Sequence, residues 1–292
     1  MVGRTRIVMP GRAAHLVGFV AAAVSLSAAS VAPPPIAAAG IVQAAAQTPI
    51  ASPPSLAADP APRRIPFGLG ERADYDVRFG GVGMGKGHME VLTADVIRGR
   101  DVIHTRFHIR GGPFFFKVDD RLESWIDPQT MSAMRFRQEL NEGSRERERI
   151  YEFFPDRATY LEVGKDEEQP SVSAPLDDAS FIYFVRTVPL EVGQEYSFNR
   201  YFIPDRNPVR VRVLRRERIR VPAGEFDAVV VQPIITTRGL FSENGRAEVW
   251  LSDDDRRIIL QMKTKFARFT LSLHLKSYRP PTTTLQGLPA SP

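Results

Sequence analysis

The residues of this 292-residue chain that could bind a nucleotide lie in the run Gly80–Gly87, GGVGMGKG. This run nearly matches the glycine-rich loop that holds phosphates, G-x-x-x-x-G-K-[ST]. That loop ends in a serine or threonine that binds magnesium and then opens a helix, whereas here Gly87 is followed by the strand-like run HMEVLTADVI. We therefore interpret Gly80–Gly87 as a hairpin or bulge, where glycine lets the backbone turn or approach a neighbour closely.

Histidine residues could bind a metal ion. His104 and His108 have the i, i+4 spacing that places two ligands together on a helix. Their surroundings predict a strand, in which four residues span about 13 Å, and one metal ion cannot bridge that distance. His88 and His274 are single residues in other predicted strands. We expect no metal site and no cofactor.

Neighbouring carboxylates could serve as metal ligands or as an acid–base pair. Asp253–Asp255 lacks the spaced ligands and glycine of a calcium loop, so it predicts a hairpin turn. Asp119 and Asp120 lie in a predicted strand, where adjacent residues face opposite sides. Asp177 or Asp178 would cap a helix. The chain has no cysteine and no G-x-S-x-G motif. The sequence thus predicts no catalytic residue, and we interpret the protein as a non-enzyme.

The stretch Asp177–Leu190, DDASFIYFVRTVPL, is predicted to form one short helix in a chain that otherwise reads as strand. Arg186 falls in the last turn, where a cation suits the helix dipole, and Pro189 predicts an end near Thr187. Apolar residues recur at the helical period of i, i+3, i+4 and i+7. They are Phe181, Phe184, Val185 and Val188.

Alternating apolar and polar residues predict strands on both sides of this helix. In the last predicted strand, Phe269, Leu271, Leu273 and Leu275 alternate with polar residues. Glycine, proline and aspartate turns separate the strands, and a succession of hairpins is typical of an antiparallel sheet. We predict a mainly β fold, in which a curved antiparallel sheet, an open half-barrel, packs around one short central α-helix.

The amino terminus predicts a secretory signal peptide at residues 1–46, with cleavage between residues 29 and 46. Arg4, Arg6 and Arg12 precede the apolar run Leu16–Leu26, and small residues with Ala-x-Ala sites follow. The apolar run is shorter than the roughly 20 residues of a spanning helix. We therefore expect a periplasmic or secreted protein with no stable membrane anchor after signal cleavage.

Composition predicts the remaining domain boundaries: a disordered Ala/Pro-rich linker at 47–66, a single β-rich domain at 67–279 and a disordered tail at 280–292. The sequence pI is 9.6, but without the first 46 residues 36 basic residues face 34 acidic ones. A chain so nearly balanced does not indicate nucleic acid as a partner. The absence of cysteine excludes both disulfides and a lipidated cysteine.

Six segments, in their order along the chain, resemble a bacterial family described as domain of unknown function 3108. The segments are Gly70-Glu71 with Tyr75, Gly80–Gly87, Ser124–Asp127, Ser180–Arg186, Val221–Phe226 and Val249–Asp254. The resemblance covers about 67–279 and implies a mostly β envelope or secreted protein with no established activity. A weaker likeness is to the open half-barrels of periplasmic lipoprotein carriers.

Apolar residues in the helix and the sheet could line a ligand cavity. Phe114–Phe116 would place aromatic bulk on both faces of a strand. The candidate ligand-binding residues are Phe181, Phe184, Val185, Val188, Phe115, Leu271 and Leu273. One hypothesis is a non-catalytic envelope protein that binds a lipid or other apolar ligand between sheet and helix. The alternative is a structural or protein-interaction module with an envelope protein partner, whose interior is an ordinary packed core.

Overall fold

The computed structural model describes residues 65–112, 117–235, 247–266 and 269–285, and the fold is given for these ranges. They form antiparallel strands and one α-helix, α1 (Asp178–Val185). The strands are β1 (Gly68–Leu69), β2 (Arg72–Phe79), β3 (Val82–Ile97), β4 (Arg100–Gly111), β5 (Val118–Asp127), β6 (Ser132–Glu142), β7 (Arg145–Phe154), β8 (Thr159–Glu162), β9 (Gln169–Pro170), β10 (Glu195–Phe198), β11 (Val209–Val221), β12 (Gly224–Ile234), β13 (Glu248–Ser252), β14 (Ile259–Phe266), β15 (Phe269–Arg279) and β16 (Thr283–Thr284).

Fourteen strands form one open antiparallel sheet in the order β10-β11-β12-β13-β14-β15-β2-β3-β4-β5-β6-β7-β8-β9. The sheet therefore consists of two meanders, β2–β9 and β10–β15, which join where β15 pairs with β2. The helix lies in the chain between β9 at one edge of the sheet and β10 at the other. The fold is mainly β, as the sequence predicts.

The predicted alternation appears as burial on one side of the strands. In β15, Leu271, Leu273 and Leu275 are buried, while His274 and Lys276 between and beyond them reach solvent. A strand places successive side chains on opposite faces, so this pattern gives the sheet one apolar face and one polar face. We call these the inner and the outer face, because α1 packs against β4, β5 and β6 on the apolar side.

The helix begins and ends where local signals predict, but it is buried on more than one side. Asp177 caps it by accepting hydrogen bonds from the backbone N–H groups of Ala179 and Ser180, and Arg186 is the residue at its end. Every residue from Ala179 to Val185 is buried. The periodic pattern predicts a single apolar stripe, and the structure instead encloses the helix on all its faces.

The glycine run forms strand β3 from Val82 onward, which removes the phosphate-loop geometry. Gly80 and Gly81 make the β2–β3 turn with positive φ angles of 59° and 88°. A Cβ on Gly85 would lie 2.4 Å from the carbonyl oxygen of Arg110, so glycine is needed for the close approach of β3 and β4. The interpretation of this run as a hairpin with close backbone contacts agrees with the observed register.

The described chain extends past the predicted domain boundary at residue 279. Thr283 and Thr284 in β16 pair with β1, within the segment predicted to be a disordered tail at 280–292. The Thr282 backbone N–H and its side-chain hydroxyl both donate to the Leu69 carbonyl oxygen, at 2.8 and 3.1 Å, and help hold this short pair together. Residues 1–64 and 286–292, with the predicted signal peptide and most of the linker, lie outside the described ranges.

Candidate functional site

The predicted ligand-binding residues of the helix lie in a filled part of the interior. Phe181, Phe184, Val185 and Val188 are at most 3% exposed. The Phe184 ring meets the Phe198 ring of β10 edge-on, with centroids 4.9 Å apart. The guanidinium of Arg200 lies 4.8 Å above the same ring. Phe184 is thus surrounded by protein atoms, and its role in ligand binding stays a prediction.

Two other predicted residues line a small cavity. Leu271 and Leu273 of β15 border a space of about 10 Å³ together with Phe107 of β4 and Met262 of β14. A space of this size holds roughly one water molecule. The four helix residues are not part of its lining, so the structure divides the predicted site into a core part and a cavity part. Phe115 lies outside the described residues.

A buried ion pair anchors the end of α1, and sequence reasoning missed it. Arg186 Nη1 donates to Glu71 Oε1 at 2.7 Å, and the two residues are 2% and 5% exposed. Other Arg186 nitrogens donate to the backbone carbonyls of Pro66, Arg256 and Arg257 at 3.0–3.3 Å. The sequence marks Arg186 as a cation at the helix end, but no local pattern identifies a partner 115 residues away.

The carboxylates near the start of α1 are also committed to the fold. Ser124 Oγ of β5 donates to Asp177 Oδ2 at 2.6 Å, and Tyr201 donates its hydroxyl proton to Asp178 at 3.0 Å. Burial raises the pKa of Asp177 to about 7, although the Ser124 hydrogen bond acts in the opposite direction. Burial likewise raises the pKa of Asp120 in β5 to about 7. The aspartates at 177 and 178 therefore cap and fasten the helix.

The outer face brings two histidines together that the sequence leaves apart. His88 of β3 and His108 of β4 are directly opposite each other, and their rings meet edge-on with centroids 5.0 Å apart. His108 Nε2 lies 2.6 Å from Asp119 Oδ1. His88 is the single histidine of its strand, as predicted, and the fold places His108 beside it, which no local pattern indicates. Among the residues that the structure describes, no group of three His, Cys, Asp or Glu is placed to hold a metal ion.

Ion pairs cross the outer face from β2 to β6. Glu90 contacts Arg72 at 2.7 Å and Arg106 at 3.2 Å, and Glu123 contacts Arg106 at 2.6 Å and Arg137 at 3.5 Å. We call this row the charge ladder. Opposite charges on adjacent strands stabilise a sheet modestly and fix its register.

The two carboxylates of the charge ladder, Glu90 and Glu123, have pKa values well below the ordinary value for glutamate. A hydrogen bond from His88 is the largest influence that lowers the pKa of Glu90 to about 2. Burial acts to raise the pKa of Glu123, but His104, 3.6 Å away, and the hydrogen bond from Arg106 outweigh it and lower that pKa to about 2. The ladder is therefore a paired, charged array above about pH 4.5.

The match to a family model decides the identity of the chain. The model described as "Protein of unknown function (DUF3108)" matches residues 74–273, which is more than half of the chain. The chain belongs to this family. The DUF3108 match includes β3 through β14 and the helix, and it confirms the resemblance that the six sequence segments predict. A comparison with curated proteins finds no match.

Solved structures similar to this DUF3108 protein include a β-barrel-like protein of domain of unknown function DUF1849 from Brucella abortus. It shares 11% identity and a TM-score of 0.45, over 73% of this chain and 98% of that chain. A "putative lipoprotein" from Parabacteroides distasonis shares 13% identity and a TM-score of 0.34, over 74% of this chain and 99% of that chain. In the described part of this chain, no helix has the length and apolar character needed to cross a membrane.

Proposed function

We propose that this DUF3108 protein is a non-catalytic protein of the cell envelope that acts through its surface, as a structural or protein-interaction module. The observation that carries the proposal is that α1 is buried on all sides and is hydrogen-bonded to the sheet or its turns at both ends. A helix that is buried and bonded in this way is typical of a permanent core, which leaves only the surface of the protein for binding a partner. The predicted signal peptide at residues 1–46 supports export to the periplasm or the exterior.

Contacts of α1 support a sheet that curves around it. The helix reaches Phe198 of β10 and Ser124 of β5, which are nine strand intervals apart in the sheet. Nine intervals in a flat sheet would span about 43 Å, whereas an eight-residue helix is only about 12 Å long. A strongly bent sheet brings both strands within reach of one short helix. The proposed shape is therefore the open half-barrel.

Contacts between the sheet edges support the same shape. Phe202, four residues after edge strand β10, has its ring centroid 5.4 Å from that of Phe153 in β7. Leu176 and Tyr201 form a parallel backbone bridge just beyond the two edges. These contacts fit a half-barrel whose open side is covered by the segments that flank α1.

In the part of the interior that the structure describes, the packing of the helix and of β15 favours a core over a carrier cavity. The cavity beside Leu271 and Leu273 has about 10 Å³, whereas pockets for small molecules measure roughly 300–1,000 Å³. The helix stripe meets aromatic and charged neighbours rather than an open space. A module with a filled interior would recognise partners through its outer face and its loops.

The location is testable by cell fractionation. The full chain and a variant that lacks residues 1–46 are produced side by side with the same carboxyl-terminal tag. We expect the full chain in the periplasmic or secreted fraction, shortened at its amino terminus between residues 29 and 46, and the variant in the cytoplasm. Recovery of the full chain in the cytoplasm at its full mass contradicts export.

Native purification followed by solvent extraction and mass spectrometry tests the filled interior. We expect no lipid above the amount carried by an unrelated exported protein prepared in parallel, and no binding of a fluorescent fatty-acid probe. A stoichiometric lipid in the extract would overturn the module proposal.

A second candidate function, binding of an apolar ligand, is favoured by the cavity itself. Its lining includes Leu271 and Leu273, two of the residues that the sequence nominates. A ligand larger than water requires this space to widen. If the candidate is right, Leu273→Ala changes the affinity for the fatty-acid probe, while Leu122→Ala, an equal truncation in buried β5, does not. Equal effects of the two variants, or no probe binding at all, eliminate this candidate.

A further inference from the structure

We infer that the outer face carries a docking surface for an anionic lipid bilayer, at the end where β2 turns into β3. Four basic side chains on adjacent strands form this surface, which we call the basic patch. The patch consists of Arg78, Lys86, Lys263 and Lys265. The inference supplies a partner for the proposed envelope module and rests on that proposal for the membrane that the protein meets.

Strand register places these cations together on one face. Lys263 of β14 is opposite Ser272 of β15, which is opposite Arg78 of β2. Lys265 follows Lys263 on the same face, because side chains two apart in a strand point the same way. On β3, Lys86 is opposite Asp76, two residues from Arg78. The four cations thus span four neighbouring strands, a width of about 14 Å.

These cations differ from those of the charge ladder because, in the described part of the chain, none of them has an ionic partner. Among the described residues, none of the four forms an ion pair, whereas Arg72 and Arg106 both contact Glu90 within 3.2 Å. The acidic neighbours of the patch already have cationic partners. Glu248, which is opposite Lys263, contacts Arg215 at 3.1 Å, Asp76 contacts Lys276 at 3.6 Å and Asp119 contacts Arg110 at 3.3 Å. The fold therefore leaves a concentrated positive charge at this end of the sheet.

His274 lies within the basic patch and is influenced by its positive charges. His274 lies on β15, opposite Asp76, with Lys263 and Arg78 nearby. Burial, with the positive charges of Arg78 and Lys263, lowers the pKa of His274. Arg78 and Lys263 thus act on His274 in the same direction as burial, while Asp76 opposes them, as expected where cations lie together.

An exposed apolar side chain beside the patch favours a bilayer over a soluble polyanion. Val82, at the β2–β3 turn, is 64% exposed. Gly80 N–H donates to the Thr270 carbonyl oxygen, but no atoms lie within 4 Å of a Cβ built on Gly81 or Gly83, so the tip of the turn has open space around it. Val82 is opposite Phe79, so it lies on the other face of the sheet from Arg78 but at the same end. Basic residues and an exposed apolar residue at one end of a sheet match a surface with anionic headgroups above an apolar interior.

Vesicle co-sedimentation tests the inference with protein purified from the exported fraction. The vesicles contain phosphatidylcholine with or without about one third phosphatidylglycerol. We expect binding to the anionic vesicles at low salt and its loss near 1 M salt, where charges are screened within about 3 Å. Each basic residue near such a surface strengthens binding roughly five-fold, so Lys263→Gln/Lys265→Gln should weaken it about 30-fold.

Matched variants show whether the position of the charges matters. Arg218→Gln/Arg220→Gln removes two exposed cations that pair with Glu225 at the other end of the sheet, and it should change vesicle binding less than about two-fold. Val82→Ser should weaken binding without altering its salt dependence. If Lys263→Gln/Lys265→Gln unfolds in a thermal melt, Lys86→Gln takes its place, with an expected loss of roughly five-fold.

Several results overturn the inference. No binding to anionic vesicles at low salt, equal losses in the patch variant and the control variant, or equal binding to neutral vesicles each exclude a membrane-docking patch. Tighter, patch-dependent binding to short duplex DNA than to the vesicles assigns the surface to a soluble polyanion instead. Because the vesicle assay uses purified protein, a negative result is distinct from a failure of export, which fractionation alone reports.

Discussion

Replacing Arg186 with methionine tests directly how α1 is held in the sheet. Arg186 donates to Glu71 at 2.7 Å and to three backbone carbonyls, and its guanidinium lies 5.0 Å above the Phe67 ring. Methionine fills part of this volume but donates no hydrogen bond. It leaves a carboxylate buried without its cation. Breaking a buried pair in this way typically lowers the free energy of unfolding by about 3–5 kcal/mol, and we expect a loss in this range.

A double variant separates the uncompensated charge from the lost packing. Glu71→Gln/Arg186→Met removes both charges, and buried ion pairs are often no more stabilising than neutral replacements of similar volume. We therefore expect the double variant to be more stable than Arg186→Met alone. Arg186→Lys keeps the charge, but a compact ammonium cannot reproduce the planar fork that reaches Glu71 and the carbonyls. Its loss should fall between those of the other two.

Urea unfolding, followed by fluorescence of Trp125 and Trp250, gives the free energies of unfolding. Arg218→Met serves as control, because Arg218 is an exposed arginine whose ion pair with exposed Glu225 should contribute little to stability. A loss below about 1 kcal/mol in Arg186→Met would refute the reasoning. The same holds if the double variant is no more stable than Arg186→Met, since the buried charge of Glu71 would then carry no cost.

The remaining predictions concern the core, the cap and the charge ladder. Phe184→Ala should lower the free energy of unfolding by about 3–5 kcal/mol in the same assay; a loss under about 1 kcal/mol contradicts a filled core. Asp177→Ala should cost about 1–2 kcal/mol, through the lost cap, and Asp177→Asn less. Glu90 and Glu123 have folded-state pKa values lowered from 4.5 to about 2, so their stabilisation is present above pH 4.5 and is lost as the pH falls to 2. Urea unfolding between pH 5 and 2.5 should show a shallower decline in Glu90→Gln/Glu123→Gln, and an unchanged slope contradicts the assignment.

Local patterns predict most elements of this fold because their physical causes are local. In β15, alternation identifies the inward side chains Leu271, Leu273 and Leu275 without knowledge of the neighbouring strands. The helix needs little more, since Asp177 supplies its cap and Pro189 stops it soon after Val185. Such signals act within one turn of helix or one hairpin.

The His88–His108 pair shows where local reasoning ends. The β3–β4 hairpin pairs Ile97 with Arg100 at its turn, and that register continued evenly would place His88 opposite Ile109. A bulge between Val91 and Thr93 inserts one extra residue and shifts the register by one, which brings His88 opposite His108. Leu92, the extra residue, follows Val91 as a second apolar residue. Two adjacent apolar residues do not by themselves specify a bulge, so the sequence does not reveal the pair.

The division of the candidate site has a similar origin. Reasoning from the sequence assigns the apolar stripe of the helix and the pair Leu271 and Leu273 to one ligand-binding surface, because both sets of side chains are apolar and are expected to face the interior. In the structure, Phe107 of β4 borders the same cavity as Leu271 and Leu273, while the helix contacts β5 and β10. Which strands come together in this way depends on the arrangement of all the strands and has no signature in any one of them.

Helix α1 lies between the two meanders, and each of its ends makes hydrogen bonds to a different one. Its beginning is tied by Ser124 to β5 in the first meander, and its end is tied by Arg186 to the turn between β13 and β14 in the second. In the sheet itself the meanders share one ladder, between β15 and β2. The helix thus supplies a second connection between them. Loss of Arg186 should therefore loosen the two meanders from each other, and amide hydrogen exchange should rise in β10–β14 more than in β4–β6.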